Sequence, residues 1–171
     1  GYGDAGETAR RAIGAGVVGG NLEDQMKPLD EAVAAVEAVL AAGRDAGMDF
    51  VLNARTDALV RATPDADRGE LLQEAIRRGQ AFLEAGAPVV FVPGAIAREE
   101  IGALVDGLGP QKLSVISVPG RSLPVSELQA LGVARVSTGP FTQRVALTAL
   151  QDAVAAVVAG GTLPEGTRAL N

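Results

Sequence analysis

Two short polar runs hold the residues best suited to chemistry: NLED at 21–24 and NARTD at 53–57. Glu23 and Asp24 are adjacent carboxylates. Side chains of neighbouring residues in extended chain point to opposite faces, so one of the two faces any site. Arg55 supplies a guanidinium that stays charged and forks onto a carboxylate or phosphonate through two N–H donors. At the C-terminal end of a strand it is the expected anchor for a doubly charged small substrate. Plainer readings stand beside these. Glu23 and Asp24 also suit helix capping or a solvated loop, Arg55 a surface ion pair, and Asp57 either orients Arg55 or caps the next turn. Asn53 ends the apolar run before Arg55 and is a candidate substrate contact, and Arg55 itself falls in the short loop beyond that run.

Composition narrows the chemistry. The 171 residues include neither cysteine nor histidine, which removes disulfides, thiolate metal sites, cysteine nucleophiles and imidazole acid–base catalysis. Asp, Glu, Lys, Arg, Tyr and backbone groups remain. Fifteen basic against twenty-one acidic residues give a net charge of −6 with no basic run, which argues against a nucleic-acid surface. No apolar stretch reaches the roughly 18 residues that span a bilayer. A cytoplasmic protein without a membrane partner is expected. With 47% hydrophobic residues, the chain reads as a single globular domain over 1–171.

The elements that must position these groups alternate between two periodicities. Short apolar runs at Val17–Leu22, Phe50–Asn53, Val89–Val92, Leu113–Ser117 and Val133–Ser137 read as buried parallel strands, apolar on both faces. Helical spacing relates Leu29, Val33, Val36 and Leu40, then Leu72, Ile76 and Leu83, then Ile101, Leu104 and Leu108, then Ala146, Leu150, Val154 and Val157. Glycine-containing corners (GAGVVG, AGMDFV, EAGAPVVF, ALGVARV) lead into most strands. Polar or glycine-rich residues gather at the opposite, C-terminal strand ends, where parallel α/β folds build their sites. Periodicity alone leaves an open doubly wound sheet and part of a (β/α)₈ barrel as alternatives.

GYGD at the start, NLED, NARTDA, VFVPG and ARVSTGP appear in the order and with the wording of the isocitrate lyase and phosphoenolpyruvate mutase superfamily, which the chain resembles over almost its whole length. That resemblance implies a (β/α)₈ TIM barrel in which Gly-Tyr-Gly closes the third strand. The chain would then carry five βα units, with the first three strands absent. At roughly 30 residues per unit, about 80 to 90 residues are expected before Gly1.

The resemblance also implies a function: an Mg²⁺-dependent lyase or mutase that breaks or forms a C–C or P–C bond in a small 2-oxo acid or its enolate. Glu23 would reach Mg²⁺ through water, the direct acidic ligands lying before Gly1, and Arg55 would bind the substrate's acidic group. Glu23 and Arg55 are thus the expected catalytic residues. Gly1, Tyr2, Gly3, Asn53, Pro93, Gly94, Ser137 and Gly139 are the further expected substrate contacts. Gly1, Tyr2 and Gly3 could offer backbone N–H groups, Pro93, Gly94, Ser137, Gly139 and Pro140 shape the rim, and Ser137 otherwise caps a helix. The expected partner is a 2-oxo acid or phosphonate, with a homo-oligomer of the family's tetrameric type.

One departure from the family matters. Its lyases carry a mobile loop with a Lys-Lys-Cys-Gly-His or Lys-Arg-Cys-Gly-His core after NLED, whereas QMKPLDE follows here. Lys27 is its single basic group. Cleavage of isocitrate or methylisocitrate is therefore disfavoured, while phosphonate mutase-like, 2-oxo-acid decarboxylase-like and other lyase-like reactions stay open. The alternative is a catalytically silent barrel fragment kept for ligand binding or assembly.

Overall fold

The computed structural model describes residues 3–61, 63 and 65–168. Helices and strands alternate in the order α1 (Ala5–Gly14), β1 (Gly19–Glu23), α2 (Leu29–Asp45), β2 (Val51–Arg55), α3 (Arg68–Glu84), β3 (Val89–Phe91), α4 (Arg98–Leu108), β4 (Leu113–Ile116), α5 (Val125–Ala130), β5 (Arg135–Ser137) and α6 (Phe141–Val158). Local chemistry sets several of these limits. Asp4 caps α1 by accepting from the Glu7 amide at 2.7 Å, and Asp67 caps α3 by accepting from Glu70 at 2.9 Å. At the corner after α3, Gly86 has φ 101°, a left-handed conformation that costs glycine little and turns the chain into β3.

All five strands are parallel and lie side by side in chain order, β1-β2-β3-β4-β5. A doubly wound sheet reverses its strand order at a switch point. No reversal occurs among these strands, so the sheet winds in one direction, as part of a TIM barrel does. This resolves the alternative that periodicity left open.

One face of the sheet is covered by helices. Leu52, Ala54, Val90, Val92, Leu113 and Val115 are buried there with Val36 of α2, Phe82 of α3, Leu104 of α4 and Leu128 of α5. The opposite face differs from the doubly apolar strands expected. Alternation and register place Asn21 and Glu23, Asn53 and Arg55, Phe91, Ser114 and Ile116, and Arg135 and Ser137 together on it.

Strand limits also shift. The Val17 amide is used to close α1, donating to Ala12 O at 3.0 Å, so β1 starts two residues later than expected and runs through Glu23. Strand β2 runs through Arg55, which pairs in register with Glu23 on one side and Phe91 on the other. Both charged residues are therefore strand residues. On α3 the buried stripe is Ala75, Arg78, Gly79 and Phe82, next to the expected line of Leu72, Ile76 and Leu83, which is half-buried. Helix α5 is too short for its periodicity to have shown.

Residues 1–137 and 138–171 form two compact units. The second contains α6, on which no residue is buried and Val145, Leu150, Val154 and Val157 are exposed. Among the described residues, no helix is long and apolar enough to cross a membrane.

Candidate functional site

Parallel neighbours lie about 4.8 Å apart, so register partners on one face can touch. Glu23 and Arg55 are such partners, and Arg55 Nη1 stands 2.6 Å from Glu23 Oε1. The same guanidinium donates from Nε to Asp57 Oδ1 at 2.7 Å, and its carbon lies 5.8 Å from the centre of the Phe91 ring, within cation–π range. Arg55 thus has a carboxylate on either side and an aromatic face beside it. A quarter of its side chain still reaches solvent, while Asp57 is 1% exposed. Of the two roles open to Asp57, orientation of Arg55 is the one the geometry shows. Its other oxygen receives Arg61 Nε at 3.0 Å.

The two carboxylates of NLED diverge. Glu23 stays on the polar face with its side chain 41% exposed. Asp24 turns inward and is 4% exposed. Its Oδ1 accepts from the amides of Met26 and Asp57, both at 3.0 Å, and its Oδ2 lies 3.1 Å from Arg78 Nη1. Asp24 is therefore neither a helix cap nor a solvated acid, because a buried arginine from α3 neutralises it. Arg78 was missed in the sequence, although a charged residue on the apolar stripe of α3 was a usable signal. Its Nη2 also donates to Lys27 O at 2.9 Å and its Nε to Glu74 at 2.6 Å. Arg77 foremost, then Arg78, holds the Glu74 carboxyl below its ordinary range.

Asn53 lies two residues before Arg55 on the same face and is 5% exposed. Its Nδ2 donates to Asn21 Oδ1 at 2.7 Å, while its own Oδ1 is buried without a partner. Pro93 and Gly94 follow β3, and Pro93 is buried. Gly94 has φ 91°, and a Cβ there would come within 3.0 Å of Val60 Cγ1. Its carbonyl accepts from Arg68 Nη2 at 2.7 Å, and Arg68 pairs with Glu100. That arginine, assisted by the Ile96 and Ala97 amides, holds the Glu100 carboxyl below its ordinary range against the opposing effect of burial. The rim after β3 is thus tied to the starts of α3 and α4.

Ser137 closes β5, and its hydroxyl donates to Val115 O at 3.3 Å; the residue at the N-cap of α6 is Pro140. Arg135, also missed in the sequence, donates to the buried Ser114 hydroxyl at 3.1 Å on the polar face. Gly139 and Pro140 belong to the second unit. Gly1 and Tyr2 lie outside the described residues. Gly3 lines a cavity of about 260 Å³ bordered by α1, β1 and α2, whose charged lining residues are Glu23, Asp24, Lys27, Glu31 and Arg55.

Among the described residues, no three Asp or Glu side chains converge to hold a metal. Arg78 and two amides engage Asp24, while Arg55 and Arg61 engage Asp57. These residues do not make up an Mg²⁺ shell, which needs several oxygen ligands in octahedral array. Of these three carboxylates, Glu23 stays on the open face, and it is itself paired with Arg55.

A sequence model of the family described as phosphoenolpyruvate phosphomutase matches residues 1–158. The chain belongs to that family. The oxaloacetate decarboxylase of Paraburkholderia xenovorans (strain LB400) is 35% identical over 131 residues, covering 77% of this chain and 40% of that enzyme. An uncharacterized protein of Mycobacterium tuberculosis (strain ATCC 25618 / H37Rv) is 36% identical over 146 residues, covering 84% of this chain and 53% of that protein. Among solved structures, one described as a lyase or mutase from Burkholderia cenocepacia J2315 superposes with TM-score 0.83 at 32% identity, covering 99% of this chain and 63% of that chain. The chain spans about half the length of the curated relatives it matches. Members of the phosphoenolpyruvate phosphomutase family are lyases or mutases acting on oxo acids.

Proposed function

We propose that Arg55 anchors an acidic group of a small 2-oxo acid or phosphonate in a lyase or mutase reaction of the whole protein. The observation that carries this reading is the setting of Arg55. A guanidinium oriented by a buried carboxylate, backed by an aromatic ring and still partly open can exchange its contact with Glu23 for a substrate carboxylate without moving its backbone. Binding that fixes orientation lowers the barrier by removing freedom in advance. In a decarboxylation, the C–C bond to the leaving carboxylate breaks, CO₂ departs, and the bond's electron pair moves to the 2-oxo oxygen as an enolate. Solvent then returns a proton to carbon. Asn53, two residues below Arg55, is the proposed neutral neighbour of the bound acid.

In the whole protein, Glu23 would contact Mg²⁺ through water. The turn between β1 and α2 is only residues 24–28 and is tied down by Arg78, which supports reactions that do not depend on a long closing loop. The exposed apolar residues of α6 support assembly between copies. A panel of oxaloacetate, other 2-oxo acids and phosphonopyruvate, assayed with the whole protein and Mg²⁺ for product formation, tests the reading. Turnover of one member that is lost in Arg55→Ala is expected. Ligand binding without turnover of any of them would favour the silent, ligand-binding alternative, which the mutual pairing of Glu23 and Arg55 also accommodates.

A further inference from the structure

The geometry points to Arg78 and Asp24 as positioning residues that set the direction of Arg55 from behind the sheet. A continuous line of contacts joins them: Arg78 Nη1 to Asp24 Oδ2 at 3.1 Å, Asp24 Oδ1 to the Asp57 amide at 3.0 Å, and Asp57 Oδ1 to Arg55 Nε at 2.7 Å. The first link spans 54 positions in the chain and the second 33, so neither forms from local structure. Asp24 follows Glu23 and Asp57 lies two residues after Arg55. One carboxylate therefore ties together the turns that leave both charged strand ends.

Three features separate this role from general stabilisation. Arg78 and Asp24 are 5% and 4% exposed, and an apolar pair of equal volume often serves stability as well as a buried ion pair. Here such a pair would strand the Met26 amide, the Asp57 amide and Lys27 O, all in the two turns that carry the site. The turn after β1 also holds two successive non-glycine residues at positive φ, Gln25 at 53° and Met26 at 56°. That conformation persists only where surrounding contacts over-determine it, and the flanking contacts are Asp24 Oδ1 on the Met26 amide and Arg78 Nη2 on Lys27 O. Finally, Arg78 uses a planar fork to reach the Asp24 carboxylate and a carbonyl at once, which a lysine cannot reproduce.

The catalytic consequence rests on the proposed function, but the positioning does not, and the test separates them. In the whole protein, Arg78→Lys is compared with Leu128→Ala, a packing change on α5 that touches none of these groups. Arg78→Lys is expected to speed hydrogen exchange at the Met26 and Asp57 amides at least tenfold and to shift the Arg55 Nε resonance. Exchange at Val90 and Val115 should stay unchanged. Leu128→Ala should leave the Arg55 resonance in place. If Arg78→Lys does not fold, Asp24→Asn, which keeps one acceptor oxygen and the same shape, is read in the same way. An unmoved Arg55 resonance, or faster exchange at all four amides together, would overturn the proposal. Where wild type turns over an oxo acid, kcat/KM should fall about tenfold in Arg78→Lys. If wild type turns over none, the proposed function fails while exchange and resonance still decide the positioning role.

Discussion

Arg55 and Glu23 face each other at 2.6 Å across the ends of two adjacent parallel strands. A substrate acid that binds Arg55 must compete with Glu23 for the guanidinium. Asp57 and Phe91 hold the arginine from its other sides and need not move. One residue is thus both anchored and available, so its substitution touches binding and stability together.

Arg55→Lys should fail nearly as badly as Arg55→Ala in the whole protein, because an ammonium cannot face Glu23, Asp57 and a substrate acid with the fixed fork of a guanidinium. A drop in kcat/KM on the order of 10²-fold, about 3 kcal/mol, is expected for loss of a charge-assisted contact. Stability should fall as well, since Asp57 is 1% exposed and Arg55→Ala leaves it with Arg61 alone, at a cost of roughly 1–3 kcal/mol. Steady-state kinetics together with thermal melts check both parts. Unchanged kcat/KM alongside a large fall in Tm would make Arg55 a structural ion-pair residue.

Mg²⁺ should not measurably stabilise the 171-residue chain. Stabilisation by a ligand grows as RT ln(1 + [L]/Kd), about 2.7 kcal/mol at a hundredfold excess over Kd, and Glu23 alone cannot supply a Kd in the micromolar range. Melting with and without a few millimolar Mg²⁺, as an order of magnitude, reads this directly. A rise in Tm that Glu23→Gln abolishes would show a site richer than the one described.

Acid should weaken the tie between α3 and α4. Arg68 lowers the Glu100 pKa in the folded chain, so its contribution is present above the ordinary carboxylate value of about 4.3 and is lost as pH falls through the lower folded value. Glu74, lowered by Arg77 and Arg78, behaves in the same sense. The stability difference between wild type and Glu100→Gln should therefore be full at neutral pH and shrink below about pH 4. Denaturant melts across that window measure it, and a difference independent of pH would refute the assignment.

The 171-residue chain should associate. Strands β1 and β5 are the outer strands of the described sheet, each has an edge unpaired within it, and parallel edges of this kind template further pairing. Sedimentation over a concentration series is expected to show self-association, whereas a monomer at all concentrations would count against exposed edges.

Much of the architecture was legible in the sequence because it is written locally. Alternating periodicities placed the five strands to within a few residues, and motif order distinguished a barrel-type winding that periodicity could not. Glu23 and Arg55 stood out because their types and their positions at strand ends limit what they can do. The fate of Asp24 could not be read this way. Whether a carboxylate beside Glu23 faces solvent or is buried depends on a cation that folding brings from α3, 54 residues away. The double duty of Asp57 and the approach of Phe91 to Arg55 likewise depend on strand register. Adjacent residues dictate periodicity, turns and chemical type, but burial and pairing are decided by whichever distant groups the packed chain places within a few ångströms. The sequence by itself therefore determined the order of the elements and the types of charge near their C-terminal ends, and only the tertiary structure decided where the strands stop, which of those charges are buried in pairs and which stay partly open.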